Sequence, residues 1–176
     1  MDLQPTLQDE WVKIEPLELA DKEYLFAVAA DPLIWEQHPN PDRYRREAFE
    51  LYFAGAMESR GAFLVCIPAT GEIVGCTRYY EFRPDEKDVI IGYTFLARAH
   101  WGGKINASLK KLMLDHAFRY VEKVRFHVGA NNRRSQIAVE RLGAIKVREF
   151  DVTPVGEPPK RNFEYEVSKS LWQARS

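Results

Sequence analysis

The pattern of apolar and polar positions is most informative between residues 90 and 120. An apolar run rich in β-branched and aromatic residues begins at Ile90, a turn contains Gly102 and Gly103, and a helical pattern continues to Tyr120. From Ile105 onward, apolar residues recur at spacings of three and four, which predicts a helix lying flat on a sheet. The polar side of this helix is predicted to carry Lys110, Lys111, Asp115, Arg119 and Glu122. The segment therefore predicts a strand, a glycine loop and a helix.

The other segments predict further short strands and helices without internal repeats. Helices are expected from Asp21 to before Pro32 and from Asp42 to Arg60, with each aspartate as the helix cap and Gly61 closing the second helix. Strands are expected at 11–17, 62–68, 73–82, 123–128, 144–150 and 161–168. The prolines at 31–41 and 151–160 favour loops. Because a helix connects them, the strands at 90 and 123 should run parallel.

This order of elements predicts one α+β domain over residues 1–176. Its sheet should be mixed and mostly antiparallel, with about seven strands and about four flanking helices. With 45% apolar and 12% aromatic residues, the chain can fill one large core.

The two glycines suggest an anion site. The first amide groups of a helix lack partners within the helix and carry partial positive charge, and glycine lets an anion approach them closely. The alternative is a turn in which glycine only supplies an unusual backbone angle. The position after a strand and before a long helix favours anion binding without identifying the anion.

A second motif follows in the run VGANNRRSQIAVERLGA at residues 128–144. Asn132 and Ser135 form Asn-x-x-Ser at the start of a predicted helix, and Leu142 and Gly143 stand at its end. Together the two segments closely resemble the GNAT family of acetyl-CoA-dependent N-acetyltransferases, and within it the bacterial ribosomal-protein N-terminal acetyltransferases. In element order the resemblance spans most of the chain, from about residue 10 to 170.

The resemblance implies acetyl-CoA as co-substrate, no metal, and two central parallel strands that splay apart at a bulge, for which Gly92 is a suitable site. The pantetheine arm of the cofactor would pair with the exposed strand backbone. The residues that the resemblance assigns to the cofactor are Phe95, Leu96, Trp101, Gly102, Gly103, Lys104, Ile105, Asn106 and Asn132.

Two positions depart from the family pattern. Lys104 occupies the usual central glycine of the phosphate loop, where its charge would favour a diphosphate. Ile90 occupies the place of a strand glutamate that helps to deprotonate the amine in many members. The identity of the general base is therefore open.

The implied reaction is direct acetyl transfer from a thioester to an amine. Positioning can remove roughly 7 to 11 kcal/mol of barrier, more than one acid or base usually contributes. The helix after Asn132 lacks the tyrosine that many members use as acid, so Ser135 is the candidate, with a backbone hydrogen bond as its structural alternative. Asn132 has a turn or cap role as its own alternative. Candidate bases are Glu81 and His38, followed by His127, and a chain of ordered waters could replace them.

Charge and targeting signals limit the partners. The 25 basic and 26 acidic residues give a net charge of −1, which offers no field for nucleic acid or an anionic membrane surface. The amino terminus lacks a signal-peptide pattern, and no run of about 18 apolar residues occurs, so a cytoplasmic protein is expected. Cys66 and Cys76 should be small buried residues. A monomer or homodimer is expected.

We expect an N-acetyltransferase acting on a primary amine, with a protein N-terminal α-amino group as the leading acceptor. The alternatives are a small amine or an aminoglycoside-type acceptor. A non-catalytic acyl-CoA sensor is a further possibility, because Ile90 replaces the usual glutamate. A nucleotide triphosphate in the glycine loop is disfavoured, since neither common nucleotide-binding glycine motif is present.

Overall fold

The alternating segments form one eight-stranded sheet in the computed structural model, which describes residues 1–153 and 158–175. The strands are β1 Leu7–Gln8, β2 Lys13–Pro16, β3 Ala62–Cys66, β4 Ile73–Arg83, β5 Asp88–Leu96, β6 Lys123–Gly129, β7 Ile145–Val152 and β8 Lys160–Ser168. The α-helices of these described residues are α1 Lys22–Ala29, α2 Arg46–Ser59, α3 Lys104–Ala117, α4 Arg133–Arg141 and α5 Lys169–Arg175.

The strand order is β1-β2-β3-β4-β5-β6-β8-β7. Neighbouring strands are antiparallel except β5 and β6, which are parallel because α3 carries the chain back to the same end of the sheet. The predicted α+β fold with a mixed, mostly antiparallel sheet is confirmed. Within the described residues there is one strand and one helix more than predicted, since β1 has only two residues and α5 lies at the end of the chain.

The sheet separates two apolar cores. Phe63 and Val65 of β3 join the core under α3, whereas Leu64 and Cys66 join the core under α1 and α2. This alternation follows from the two-residue period of a strand. Both faces of β3 are buried, so its apolar run is continuous.

The two parallel strands pair only at one end. Asp88–Ile90 of β5 pairs with Lys123–Arg125 of β6, and beyond these residues β6 continues to pair with β8 but no longer with β5. The pairing of β5 with β4 shifts around Tyr93 and Thr94, which together stand opposite Thr77. Tyr93 has φ +51°, so this is a β-bulge. The strands therefore splay apart, as the resemblance implied, with the bulge one residue after Gly92.

Several local predictions were wrong. Asp42 does not cap α2, because residues 41–44 form a 3₁₀ turn and Arg45 occupies the cap position. Asp21 stands at the N-cap position of α1 as predicted, but its carboxylate accepts a hydrogen bond from the Glu18 amide and makes no capping bond to α1. Gly61 was predicted to close α2, but the C-cap lies one residue earlier, at Arg60, which has φ +48°.

Two regions of the prediction need separate mention. The middle of the predicted loop at 151–160, residues 154–157, lies outside the described residues. Among the residues that are described, no helix is both long enough and apolar enough to cross a membrane.

Candidate active site

A cavity of about 950 Å³ lies at the splay between β5 and β6. Its walls come from the loop before α2, the bulged part of β5, the glycine loop, α3, β6, the start of α4 and the β7–β8 pair. The cavity touches most of the residues singled out from the sequence: His38, Glu81, Phe95, Leu96, Trp101, Gly102, Gly103, Asn106, Asn132 and Ser135. Elements distant in sequence thus meet at one opening in the sheet.

The glycine loop has the shape of an anion site. Gly102 has φ +68°, a conformation that side chains other than glycine rarely adopt. At Gly103, an added Cβ would meet only the carbonyl oxygen of His100, at 3.8 Å, so the approach to the first amides of α3 is open. The Trp101 indole donates to the Leu96 carbonyl at 2.9 Å and holds the loop against β5. The backbone can therefore receive an anionic group at the start of α3.

The Lys104 side chain, which was expected to assist the loop by its charge, does not line the cavity, and neither does the side chain of Ile105. The Lys104 ammonium lies 3.9 Å from the centroid of the Trp11 ring, and Ile105 packs in the core. Since neither side chain lines the cavity, only their backbone groups can serve a ligand there. Asn106, one residue further along α3, does line it.

Asn132 and Ser135 have different structural roles at the start of α4. The Asn132 side chain accepts a hydrogen bond from the Ser135 amide at 3.2 Å, so Asn132 caps the helix. The Ser135 hydroxyl lines the cavity and has no hydrogen-bond partner among the described residues. Gln136 bonds the carbonyls of Gly129 and Ala130 and fixes the turn before α4. The backbone-bonding alternative for Ser135 is thus not what the geometry shows.

Glu81 lies at an irregularity of β4 and faces the cavity. Its φ is +47°, an uncommon value for a non-glycine residue, and the β4–β5 register shifts between Tyr80 and Arg83. Strained backbone of this kind concentrates at functional sites. Ile90, where many family members carry a glutamate, is fully buried in the paired part of β5. Among the described residues, Glu81 is therefore the carboxylate that lines the cavity.

His38 is a poor candidate for a base. Burial, together with the neighbouring Arg43 charge, lowers the pKa of His38 to about 3. Its Nδ1 accepts a hydrogen bond from the Asn40 amide at 2.9 Å, and its Nε2 lies 3.3 Å from Arg43 Nη1. An imidazole so arranged stays neutral near pH 7 and accepts a further proton only weakly.

His127 is held by a carboxylate. Its Nε2 lies 2.8 Å from Glu164 Oε2, and Arg148 donates to the same oxygen at 3.0 Å. Burial alone would raise the pKa of Glu164, but the hydrogen bonds from His127 and Arg148 outweigh it and keep the pKa below its usual value. His127 lines the cavity and has a fixed ring orientation.

Lys110 is a cavity residue that the sequence reasoning missed. It was predicted on the polar side of α3, yet it is only 6% exposed, and its ammonium donates to Thr94 Oγ1 at 2.7 Å. Burial lowers the pKa of Lys110 to about 7. Its burial could have been predicted from its spacing, because Met113 and Ala117, three and seven residues later, lie on the same face of α3 and are both buried.

A cluster of two arginines and two tyrosines near the bulge was also not predicted. Its members are Arg43, Arg78, Tyr52 and Tyr93. Arg78 stacks 3.9 Å from the Tyr93 ring centroid and donates to the Gly55 carbonyl at 3.0 Å. The Arg43 guanidinium carbon lies 5.0 Å from the Tyr52 ring centroid. The Tyr52 hydroxyl donates to the Tyr93 carbonyl at 2.8 Å and so anchors the bulge to α2. This cluster borders the point where β5 leaves β6.

A bulged strand, a parallel partner that splays from it and a glycine loop at the next helix define a class of acyl-CoA-dependent acyltransferases. The family model described as the acetyltransferase (GNAT) domain matches residues 12–145. The chain belongs to this family, and it is an acetyl-CoA-dependent N-acetyltransferase.

Solved structures share the fold. One described only as an acetyltransferase is 26% identical, with a TM-score of 0.84, and covers 96% of this chain and 89% of its own. Another acetyltransferase, from T. thermophilus, is also 26% identical, with a TM-score of 0.79 and coverage of 96% and 92%. No curated protein matches the sequence.

Two more distant structures were solved with coenzyme A ligands. RimJ of Mycobacterium smegmatis, in complex with CoA-disulfide, is 15% identical with a TM-score of 0.71, covering 90% of this chain and 82% of its own. Spermidine N-acetyltransferase of Vibrio cholerae, in complex with CoA and spermine, is 15% identical with a TM-score of 0.70, covering 94% and 99%. At this identity the likeness shows the fold, so the finer assignment to the ribosomal-protein subgroup rests on the sequence resemblance alone.

Proposed function

We propose that this protein transfers the acetyl group of acetyl-CoA to the α-amino group of a peptide or protein N-terminus. The observation that carries the proposal is the opening between β5 and β6, which reaches from the glycine loop to Glu81 within one cavity. An opening of this kind admits a donor and an acceptor together. Direct attack in a ternary complex therefore needs no covalent enzyme intermediate.

The backbone provides most of the proposed cofactor contacts. Amides from Trp101 to Asn106 would bind the pyrophosphate, because the loop is open at Gly103 and these amides lie at the start of α3. Phe95 and Leu96 lie in the part of β5 that has no pairing with β6, where backbone groups would bind the pantetheine arm. Asn132 would shape the same wall from the start of α4.

In the proposed reaction the amine nitrogen attacks the thioester carbonyl carbon and the carbon–sulfur bond breaks. Glu81 accepts the proton that the amine must lose, and the Ser135 hydroxyl donates a proton to the departing thiolate. The bulge at Tyr93 and the cavity walls position the reactants, which is the larger contribution to the rate. His127, oriented by Glu164, is the second candidate for the base.

The charge of the cavity bears on the acceptor. Four arginines line its described part, at Arg43, Arg133, Arg134 and Arg141. Lys110, whose pKa is about 7, is partly charged at neutral pH, and Glu81 is the carboxylate among the described lining residues. Like charges facing each other cost free energy, so a polycationic acceptor such as a polyamine or an aminoglycoside is disfavoured. A peptide N-terminus carries a single reactive amine and fits this charge balance better.

A thiol-release assay with acetyl-CoA tests the proposal. The panel contains peptides with free and with blocked N-termini, spermidine and an aminoglycoside. We expect turnover with free N-termini only, and mass spectrometry of the product should place the acetyl group on the α-nitrogen. Faster turnover of spermidine or the aminoglycoside would show that the acceptor is a small amine and not a peptide N-terminus. Coenzyme A binding without turnover across the panel would favour a non-catalytic sensor.

A further inference from the structure

Arg43 has an unusual position in the cavity wall. Its guanidinium carbon lies 5.0, 5.6 and 5.8 Å from the ring centroids of Tyr52, Tyr93 and Trp35, respectively. Aromatic faces attract a cation but do not use its hydrogen-bond donors in the way a carboxylate does. The three rings therefore hold the guanidinium in place and leave most of its N–H groups free for another partner.

Within residues 1–153 and 158–175, Arg43 has no counterion. Its hydrogen-bond contact is the Nε2 atom of His38, at 3.3 Å, and no carboxylate of the described residues lies within ion-pair distance. Other buried arginines of the protein are compensated: Arg125 contacts Asp88 and Glu164. Arg78 donates hydrogen bonds to the carbonyls of Gly55 and Tyr52. A partly buried cation without such partners is costly unless a ligand provides the anion.

The geometry identifies where that anion would be. Arg43 contacts the ring of Tyr93, and Tyr93 forms the bulge at which β5 separates from β6. A guanidinium presents paired N–H donors that match the two oxygens of a carboxylate. A group bound here would lie in the cavity beside the bulge at which β5 leaves β6.

We propose that Arg43 binds a carboxylate of the acceptor, so that the preferred acceptors are peptides with an acidic residue next to the N-terminal residue. This inference rests on the proposed function and specifies its substrate class. The same carboxylate chemistry could come from the α-carboxylate of a free amino acid, and the experiment separates the two sources.

The experiment compares kcat/KM for peptide pairs that differ only by aspartate or asparagine at the second position. Wild type should prefer the aspartate peptide roughly tenfold to a hundredfold, the value of one charged hydrogen-bonded contact. Arg43→Gln should remove the preference, and Arg43→Lys should retain only part of it because a point charge replaces the paired donors. The matched control is Arg45→Gln, which changes an exposed arginine two residues away that pairs with Asp42 and should keep the full preference.

The outcomes separate this inference from the proposed function. Equal rates of wild type for both peptides, or a preference that survives in a folded Arg43→Gln variant, would overturn the role of Arg43. If Arg43→Gln does not fold, Arg43→Lys decides, since an undiminished preference there would show that the paired donors of the guanidinium do not bind the carboxylate. Free amino acids and their amides form a parallel pair of acceptors. An Arg43-dependent preference confined to that pair would support the carboxylate site but reject the peptide acceptor.

Discussion

At the scale of single residues, Ser135 and Asn132 make a matched pair at the start of α4. If the Ser135 hydroxyl protonates the thiolate, Ser135→Ala should lower kcat about 100-fold with acetyl-CoA affinity and melting temperature nearly unchanged. Asn132→Ala removes the cap and should cost roughly 0.5 to 2 kcal/mol of stability. Melting temperature, cofactor affinity and kcat measured on the same preparations check both, and an unchanged kcat in Ser135→Ala would remove the serine from the mechanism.

Lys110 should make the stability of the ligand-free protein depend on pH in the alkaline range. Its pKa falls from 10.5 in the unfolded chain to about 7 in the folded protein, because burial disfavours the ammonium. Between these values the unfolded chain binds the extra proton, so stability rises with pH, and below about 7 the full penalty is present.

Lys110→Met should therefore unfold with a free energy roughly 2 to 5 kcal/mol larger than that of wild type at pH 7. This difference in stability should shrink as the pH approaches 10.5. Urea unfolding of both proteins at neutral and alkaline pH measures this, and groups that titrate equally in both proteins cancel in the difference. A stability difference that does not change with pH would show that Lys110 keeps its ordinary pKa.

The residues that sequence reasoning found and missed differ in a physical way. Ser135 and Gly103 belong to local motifs, since a helix start and a strand-to-helix turn are encoded by a few adjacent residues. Arg43 and Lys110 acquire their character from partners far along the chain, Arg43 from Tyr93 and Lys110 from Thr94. In the sequence each is one charged residue among many, and only the fold removes it from water.

At the scale of elements, the site depends on β5 and β6 being joined at one end and apart at the other. At the joined end Asp88 is fully buried and accepts from Arg83 Nε at 2.8 Å and from Arg125 Nη2 at 3.3 Å. Glu164 of β8 contacts the same Arg125, so one charged network connects β5, β6 and β8. These contacts hold the strands together just before the opening.

Asp88→Asn should destabilise the fold by roughly 1.5 to 3 kcal/mol at pH 7, because Arg83 and Arg125 lose a charged hydrogen-bond partner while Arg125 keeps Glu164. Burial would raise the pKa of Asp88, but the two arginines outweigh it and hold the pKa below its ordinary value of 3.8. The carboxylate therefore stabilises the protein above its unfolded pKa, and that contribution is lost as the pH falls through the folded pKa. Chemical unfolding at pH 7 and in acid should show the wild-type advantage shrinking, whereas an equal difference at both would contradict this role.

The order of elements was predictable, and the opening of the sheet was not predictable from the residue pattern. Apolar alternation and glycine turns indicated β3 to β6, α3 and α4, because these properties are local. The splay was expected only through the family resemblance. The bulge forms because Tyr93 and Thr94 together stand opposite Thr77, which lies seventeen residues before Thr94 in the sequence. Asp42 does not cap α2 because residues 41–44 form a 3₁₀ turn and the helix begins only at Arg46. The proline and the aspartate alone do not predict this turn.

At the scale of the whole molecule, the cavity lies between two parts of the sheet that β5 and β6 join only through residues 88–90 and 123–125. One part packs against α1 and α2, and β6 continues into the pairing with β8 and β7. A ligand that contacts the glycine loop and the free edge of β5 would add contacts across this opening. Coenzyme A should therefore stabilise the whole fold.

At a coenzyme A concentration about 100 times its Kd, the expected gain is about 2.7 kcal/mol. For a chain of this length that corresponds to a rise in Tm of roughly 5 to 10 °C. Gly103→Val should abolish most of the rise, because its side chain would block the approach to the amides of α3, while the space around Cβ lets the variant fold with nearly the wild-type Tm. Lys104→Ala is the control: it removes a charge that lies over Trp11 and leaves the backbone free, so the rise should persist. Equal shifts for wild type and a folded Gly103→Val would place coenzyme A outside the glycine loop, and loss of the shift in Lys104→Ala would show that the lysine turns into the loop when the ligand binds.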